Sequence, residues 1–113
     1  LERVGKQTLF KWENEAQGRN VSWRIIALEV IAFDVTGTMD KIDWETLKIY
    51  DVATNSIVPG QWMIDHANRS THVVFAAAAD QVVAENTIKA YELRGDLNEP
   101  TTLLVNVLWV HVE

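Results

Sequence analysis

The chain has 113 residues, no cysteine, a net charge of −6 and a pI near 5.0; 48% of its residues are hydrophobic and 23% charged. That is the size and composition of one globular domain with a core of its own, and it excludes disulfides, thiolate zinc sites and cysteine nucleophiles. The ten basic residues are scattered singly, which argues against nucleic acid as a partner, and no apolar stretch reaches the roughly 18 residues that a membrane span needs.

Gln7 to Asn14 alternates, with Phe10 and Trp12 on one face and Lys11 and Glu13 on the other, as a half-buried strand does. Gly18 and Asn20 break it. The following run, from Val21 to Gly37, is rich in β-branched and aromatic residues, which favour pleated surfaces. It is long for one strand, and a split or bulge is expected near Leu28. "MDKIDW" reads as a polar connection. "ETLKIYDV" alternates again, Leu47 and Ile49 against Lys48 and Tyr50. "ATNS" is a turn, and Pro59-Gly60 has the chemistry of a type II turn. "QWMID" reads as a short extended piece, "HANRS" as a loop and "THVVFAA" as a strand.

The segment Val73–Leu93 admits two readings. As a helix, its apolar stripe of Phe75, Ala79 and Val82 is interrupted by Asn86 and Lys89. As strands, it puts Thr87, Lys89 and Tyr91 on one face and Ile88 and Ala90 on the other. The strand reading is favoured, with a connection through residues 79–86 and room for a helical turn at 76–80. "GDLNEP" then reads as a loop. The last segment is apolar on both faces. Leu103, Val105, Val107 and Trp109 lie on one side, with Leu104, Leu108, Val110 and Val112 on the other. Six or seven strands with turns about every ten residues, and no confident helix, predict one all-β domain over residues 1–113, an antiparallel sandwich.

Residues that could carry chemistry are sparse. His66, His72 and His111 have no zinc-site spacing, and Ser22, Ser56 and Ser70 lie outside any nucleophile-elbow motif. Two acidic groups, Asp40/Asp43/Glu45 and Asp96/Asn98/Glu99, have calcium-type ligands without the spacing of an EF-hand; they are read as solvated loops. Two sequons, at Asn20 and Asn68, are about what seven asparagines give by chance. No catalytic, cofactor or metal residues are assigned. Of the five tryptophans, Trp12 and Trp23 are assigned to the core, while Trp44 and Trp62 border loops and are the candidate exposed aromatics.

The order of "VTGTMDKIDWETLKIYDVATNSIVPG" and "QVVAENTIKAYELRGDL" resembles the immunoglobulin-like β-sandwich modules of prokaryotic cell-surface proteins, including S-layer-associated ones. Leu47 to Asp51 match their "L-K-L-Y-D" strand, and Ile88 to Leu97 a later one. "TGTMDKIDWETLKIY" is also similar to archaeal flagellum filament and stator subunits, although their apolar N-terminal helix is missing. The resemblance spans about two thirds of the chain. It implies an immunoglobulin-like sandwich of about seven strands. The chain would be a fragment of a larger or membrane-anchored surface protein, extracellular, non-enzymatic, and partnered by other copies of itself or neighbouring domains. The alternative is a carbohydrate-binding module whose partner is a cell-envelope glycan.

The doubly apolar last strand sharpens this expectation. A sandwich strand needs one buried face, so the face of Leu104, Leu108 and Val110 calls for a cover. Either residues 57–67 fold over it, placing Trp62 against it, or a second subunit or neighbouring domain packs there, face to face or by strand addition. Self-association through Leu104, Leu108 and Val110 is the favoured expectation.

Overall fold

The computed structural model describes residues 3–15, 22–32, 41–75, 82–84 and 87–112, with the backbone alone at 14–15, 22–23 and 111–112. Those residues form nine strands and no helix: β1 (Gly5–Glu15), β2 (Ser22–Ala32), β3 (Ile42–Asp51), β4 (Ser56–Ile57), β5 (Gly60–Asp65), β6 (Ser70–Phe75), β7 (Val82–Val83), β8 (Ile88–Leu97) and β9 (Leu103–Val112). Seven of them have six residues or more. All pairings are antiparallel. The first sheet runs β1-β8-β3-β4; the second runs β5-β6-β2-β9, with β7 pairing β2 beyond the end of β6.

One core lies between the sheets. The first contributes Ile42, Trp44, Leu47, Ile49, Tyr91, Leu93 and Leu97, and the second Ile25, Leu28, Val30, Val73 and Phe75. This is the period-two burial that alternating strands dictate. Tyr91 points inward and Ala90 outward, as the strand reading of 87–91 requires. Residues 76–81 and 85–86, including the expected helical turn, lie outside the described residues.

Two departures from the sequence reading share one cause. "MDKIDW" is not wholly a connection, because β3 already begins at Ile42, and Gly95-Asp96 is not a turn, because β8 continues to Leu97. Between the pairs Asp43↔Asp96 and Lys48↔Arg94, residues 44–47 stand opposite Gly95 alone. This wide bulge swings both Trp44 and Leu47 into the core, where Trp44 is 2% exposed. A Cβ on Gly95 would come within 2.6 Å of Leu47 Cδ2, so the glycine makes room for the bulge rather than ending the strand. Thr46 closes it: its hydroxyl donates to the Asp43 carbonyl at 2.6 Å and accepts from the Asp96 N–H at 2.9 Å. Gly60 has a similar use. It has no positive φ and opens β5; a Cβ there would meet Val73 Cγ2 at 2.6 Å and the Val74 carbonyl at 3.1 Å. Close approach to β6, rather than a type II turn, is what requires glycine.

The expected bulge in β2 falls between Ile25 and Ala27, in the pairing with β9. The hairpins after β3 and β5 have the same form, "DVATNS" and "DHANRS", with a positive φ at Asn55 and Arg69. In the second, Asn68 donates its backbone and side-chain N–H to Asp65, which holds the Asp65 carboxyl below its ordinary range. Where β8 begins, a buried Asp51 carboxylate accepts from Lys89 Nζ at 3.0 Å and from the Ala53 N–H at 3.1 Å.

Candidate functional site

The outer face of the second sheet is built by strand register. Three rows cross β5, β6, β2 and β9: Gln61–Val74–Ala27–Leu108, Met63–His72–Glu29–Asn106, and Asp65–Ser70–Ile31–Leu104. Arg24 and Val110 form a fourth row across β2 and β9. Four large apolar side chains stand in solvent here: Leu108 at 55% exposure, Val74 at 49%, Met63 at 46% and Leu104 at 36%. Apart from Met63 at its β5 end, the middle row is polar. Asn106 Nδ2 donates to Glu29 Oε1 at 3.1 Å, with His72 exposed on the far side of Glu29. Ala27, Glu29, His72, Asn106 and Leu108 line a shallow, mostly apolar hollow at its centre. Val74 and Met63 are diagonal neighbours on β6 and β5, Ala27 lies between Val74 and Leu108, and Asn106 lies between Leu108 and Leu104.

Leu104, Leu108 and Val110 thus share one outward face, with Leu104 and Leu108 exposed and Val110 half-buried beside Arg24. Residues 57–67 do not cover it. Trp62 pairs with Val73 on the inner side of the sheet and packs against the core, because in β5 the even positions 62 and 64 face inward. Trp44, expected to be exposed, is buried by the β3 bulge, and Trp62 is half-buried. Neither is an aromatic platform. Trp12 packs against the core, stacked between Phe10 and Tyr91 at centroid distances of 5.6 and 5.5 Å. The side chain of Trp23 lies outside the described residues.

The outer face of the first sheet carries a polar cluster, with Ile57 and Ile88 exposed toward its margins. Arg94 donates from Nε and Nη2 to Glu92 Oε2, each at 2.8 Å, and from Nη1 to Asn55 Oδ1 at 3.0 Å. Its guanidinium lies 4.0 Å from the centroid of the Tyr50 ring, a cation–π distance. Beside it, Lys6, Thr8, Thr46, Tyr50 and Asp96 line an open cleft. The register brings the two acidic groups of the sequence together, since Asp43 is the neighbour of Asp96 on one side and Lys6 on the other. Asp96 Oδ1 is buried with no hydrogen-bond partner among the described residues. Asp40 lies outside them.

The histidines stay apart. His66 is exposed, 3.8 Å from Glu45, His72 sits on the outer face of the second sheet, and the His111 side chain is not described. Among the described residues no three His, Asp or Glu side chains gather as a metal site would, and no helix is long and apolar enough to cross a membrane. Sequence reasoning missed Met63 and Val74. Their alternation with Trp62, Ile64, Val73 and Phe75 was readable, but which set faces inward is fixed only by pairing with β2. No protein-family model, curated protein or solved structure matches the chain.

Proposed function

We propose that the chain is a non-enzymatic structural and protein-interaction module of a prokaryotic cell-surface assembly, an S-layer or a surface filament or stator component, built on an immunoglobulin-like sandwich. The observation that carries this reading is the outer face of the second sheet. Leu104, Leu108, Val74 and Met63 stand exposed on this one face, and burying such a side chain contributes about 1.5–3 kcal/mol. The resemblance of the "TGTMDKIDWETLKIYDV" and "IKAYELRGDL" segments to surface modules supplies the extracellular setting. Other copies of the chain are the favoured partners, with neighbouring surface-protein domains next.

The test is sedimentation of the parent against a Leu108→Lys/Val110→Lys variant. The parent should run as a dimer or larger species, and the variant as a monomer with an unchanged β-type far-UV spectrum. A parent that stays monomeric at high concentration removes the physical support for this reading.

Glycan binding is the second reading, and the cleft on the first sheet favours it. Lys6, Thr8, Tyr50 and Asp96 line the cleft and offer a sugar hydroxyl both donors and acceptors. A sugar-array screen decides: specific binding that disappears in Asp96→Ala would move the function to that cleft.

A further inference from the structure

A sheet edge offers unpaired N–H and C=O groups to any strand that can reach it, and proteins guard edges by shortness, charge, proline or a bulge. Among the described residues the β1, β4 and β5 edges are guarded. The β1 edge carries exposed Lys6, Lys11 and Glu13 and is bulged between Thr8 and Phe10. The β4 edge is two residues long and followed by Pro59. The β5 edge has six residues, preceded by Pro59 and ending in Asp65. The β9 edge has none of these devices. It is ten residues long, and no Asp, Glu, Lys or Arg occurs between Glu99 and Glu113. Its strand partner among the described residues is β2 alone.

Two further observations say what completes this edge. The inward side chains of β9, Leu103, Val105, Val107 and Trp109, are only partly buried, whereas their β2 neighbours Ile25, Leu28 and Val30 are fully buried. The core is therefore left open along β9. The strand also reads the same in both directions about Asn106: "LVNVL" from Leu104 to Leu108 is a palindrome, and Leu103 and Trp109 flank it as large apolar residues. A two-fold contact needs this symmetry, because residue i meets j and j meets i across it.

We propose that two copies of the chain join through β9, antiparallel, about a two-fold axis at Asn106. The proposal rests on the self-association reading above and fixes its geometry. In this register Leu104 faces Leu108 of the partner subunit on the outer side, Val105 faces Val107 of the partner subunit on the inner side, and the two Asn106 amides meet at the axis. The two second sheets become one continuous sheet, the open sides of the two cores adjoin, and the exposed leucines pair. The chain carries a net charge of −6, but none of it lies on this strand.

The chain has no cysteine, so an introduced one reports only its own contact. Directly opposed residues of an antiparallel pair have Cα atoms about 4.5–5.5 Å apart, within disulfide range. Asn106→Cys should therefore convert to a covalent dimer under mild oxidation. Leu104→Cys alone should not, whereas an equal mixture of Leu104→Cys and Leu108→Cys should. Asn106→Asp and Asn106→Lys should each weaken the dimer about tenfold or more by setting like charges face to face, and mixing them should restore it. Far-UV spectra confirm that each variant is folded. A parent that is monomeric at high concentration overturns this proposal and the reading it rests on. A dimeric parent whose Asn106→Cys variant does not cross-link, and whose charged variants still dimerise, overturns the β9 pairing and leaves association through the sheet face standing.

Discussion

The two sheets share one core and present opposite outer faces. On the first, a central polar cluster bonds within itself, Arg94 holding Glu92 and Asn55 and lying over Tyr50 and Thr46 tying Asp43 to Asp96, with Ile57 and Ile88 exposed beyond it. On the second, Leu108, Val74, Met63 and Leu104 stand in water around one polar row. The edges differ in the same sense, since β1 is charged and bulged and β9 is uncharged and regular. Both faces back onto the same core, so the fold alone does not require the difference. On the proposed reading, the face with exposed leucines beside the β9 edge is the one that a second copy covers, and the bonded polar cluster of the first sheet stays in solvent.

Mutations can separate these roles. The largest effect is expected inside. Leu28→Ala removes a side chain that is 1% exposed and should cost about 2–5 kcal/mol in chemical denaturation at a concentration where the protein is monomeric. Leu108→Ala, one residue over in register on the neighbouring strand but on the outer face, should leave monomer stability within about 0.5 kcal/mol while weakening association. Equal losses for the two would mean that Leu108 is core and that the face is closed within the chain. A smaller effect is expected on the first sheet. Arg94→Ala deletes an ion pair whose side chains are 32% and 17% exposed and a ring contact at 4.0 Å, and should cost about 1 kcal/mol, less in high salt. It should not change the sedimentation of the parent. A change there would place the interface on the wrong sheet.

Much of the strand pattern was legible because alternation survives in a half-buried strand: Leu47 and Ile49 against Lys48 and Tyr50, or Tyr91 against Ala90. What could not be read was register. The four residues that β3 sets against Gly95 have no local signature, so Trp44 read as a loop residue and Gly95-Asp96 as a turn. Gly60 looked like turn chemistry because a glycine needed for contact with β6 has the same letter as one needed for a positive φ. Leu104, Leu108 and Val110 were legible as a second apolar face because both alternations of β9 are apolar. Val74 and Met63 were not, since a single outward residue in a short strand joins a surface only when its neighbours are known. The polar cleft at Asp96 was hidden for the same reason, its residues being brought together from β1, β3 and β8 by pairing alone.

Amide hydrogen exchange at two protein concentrations tests most directly whether β9 is a pairing edge. Every second amide of β9 points away from β2 and depends on a partner strand for protection, as the outward amides of β1 would. The outward amides between Leu103 and Val110 should exchange freely in dilute protein and become protected as concentration rises, while those of β1 exchange alike at both. If the β9 amides behave as the β1 amides do at every concentration, the edge is not a pairing surface and the two-fold assembly is wrong.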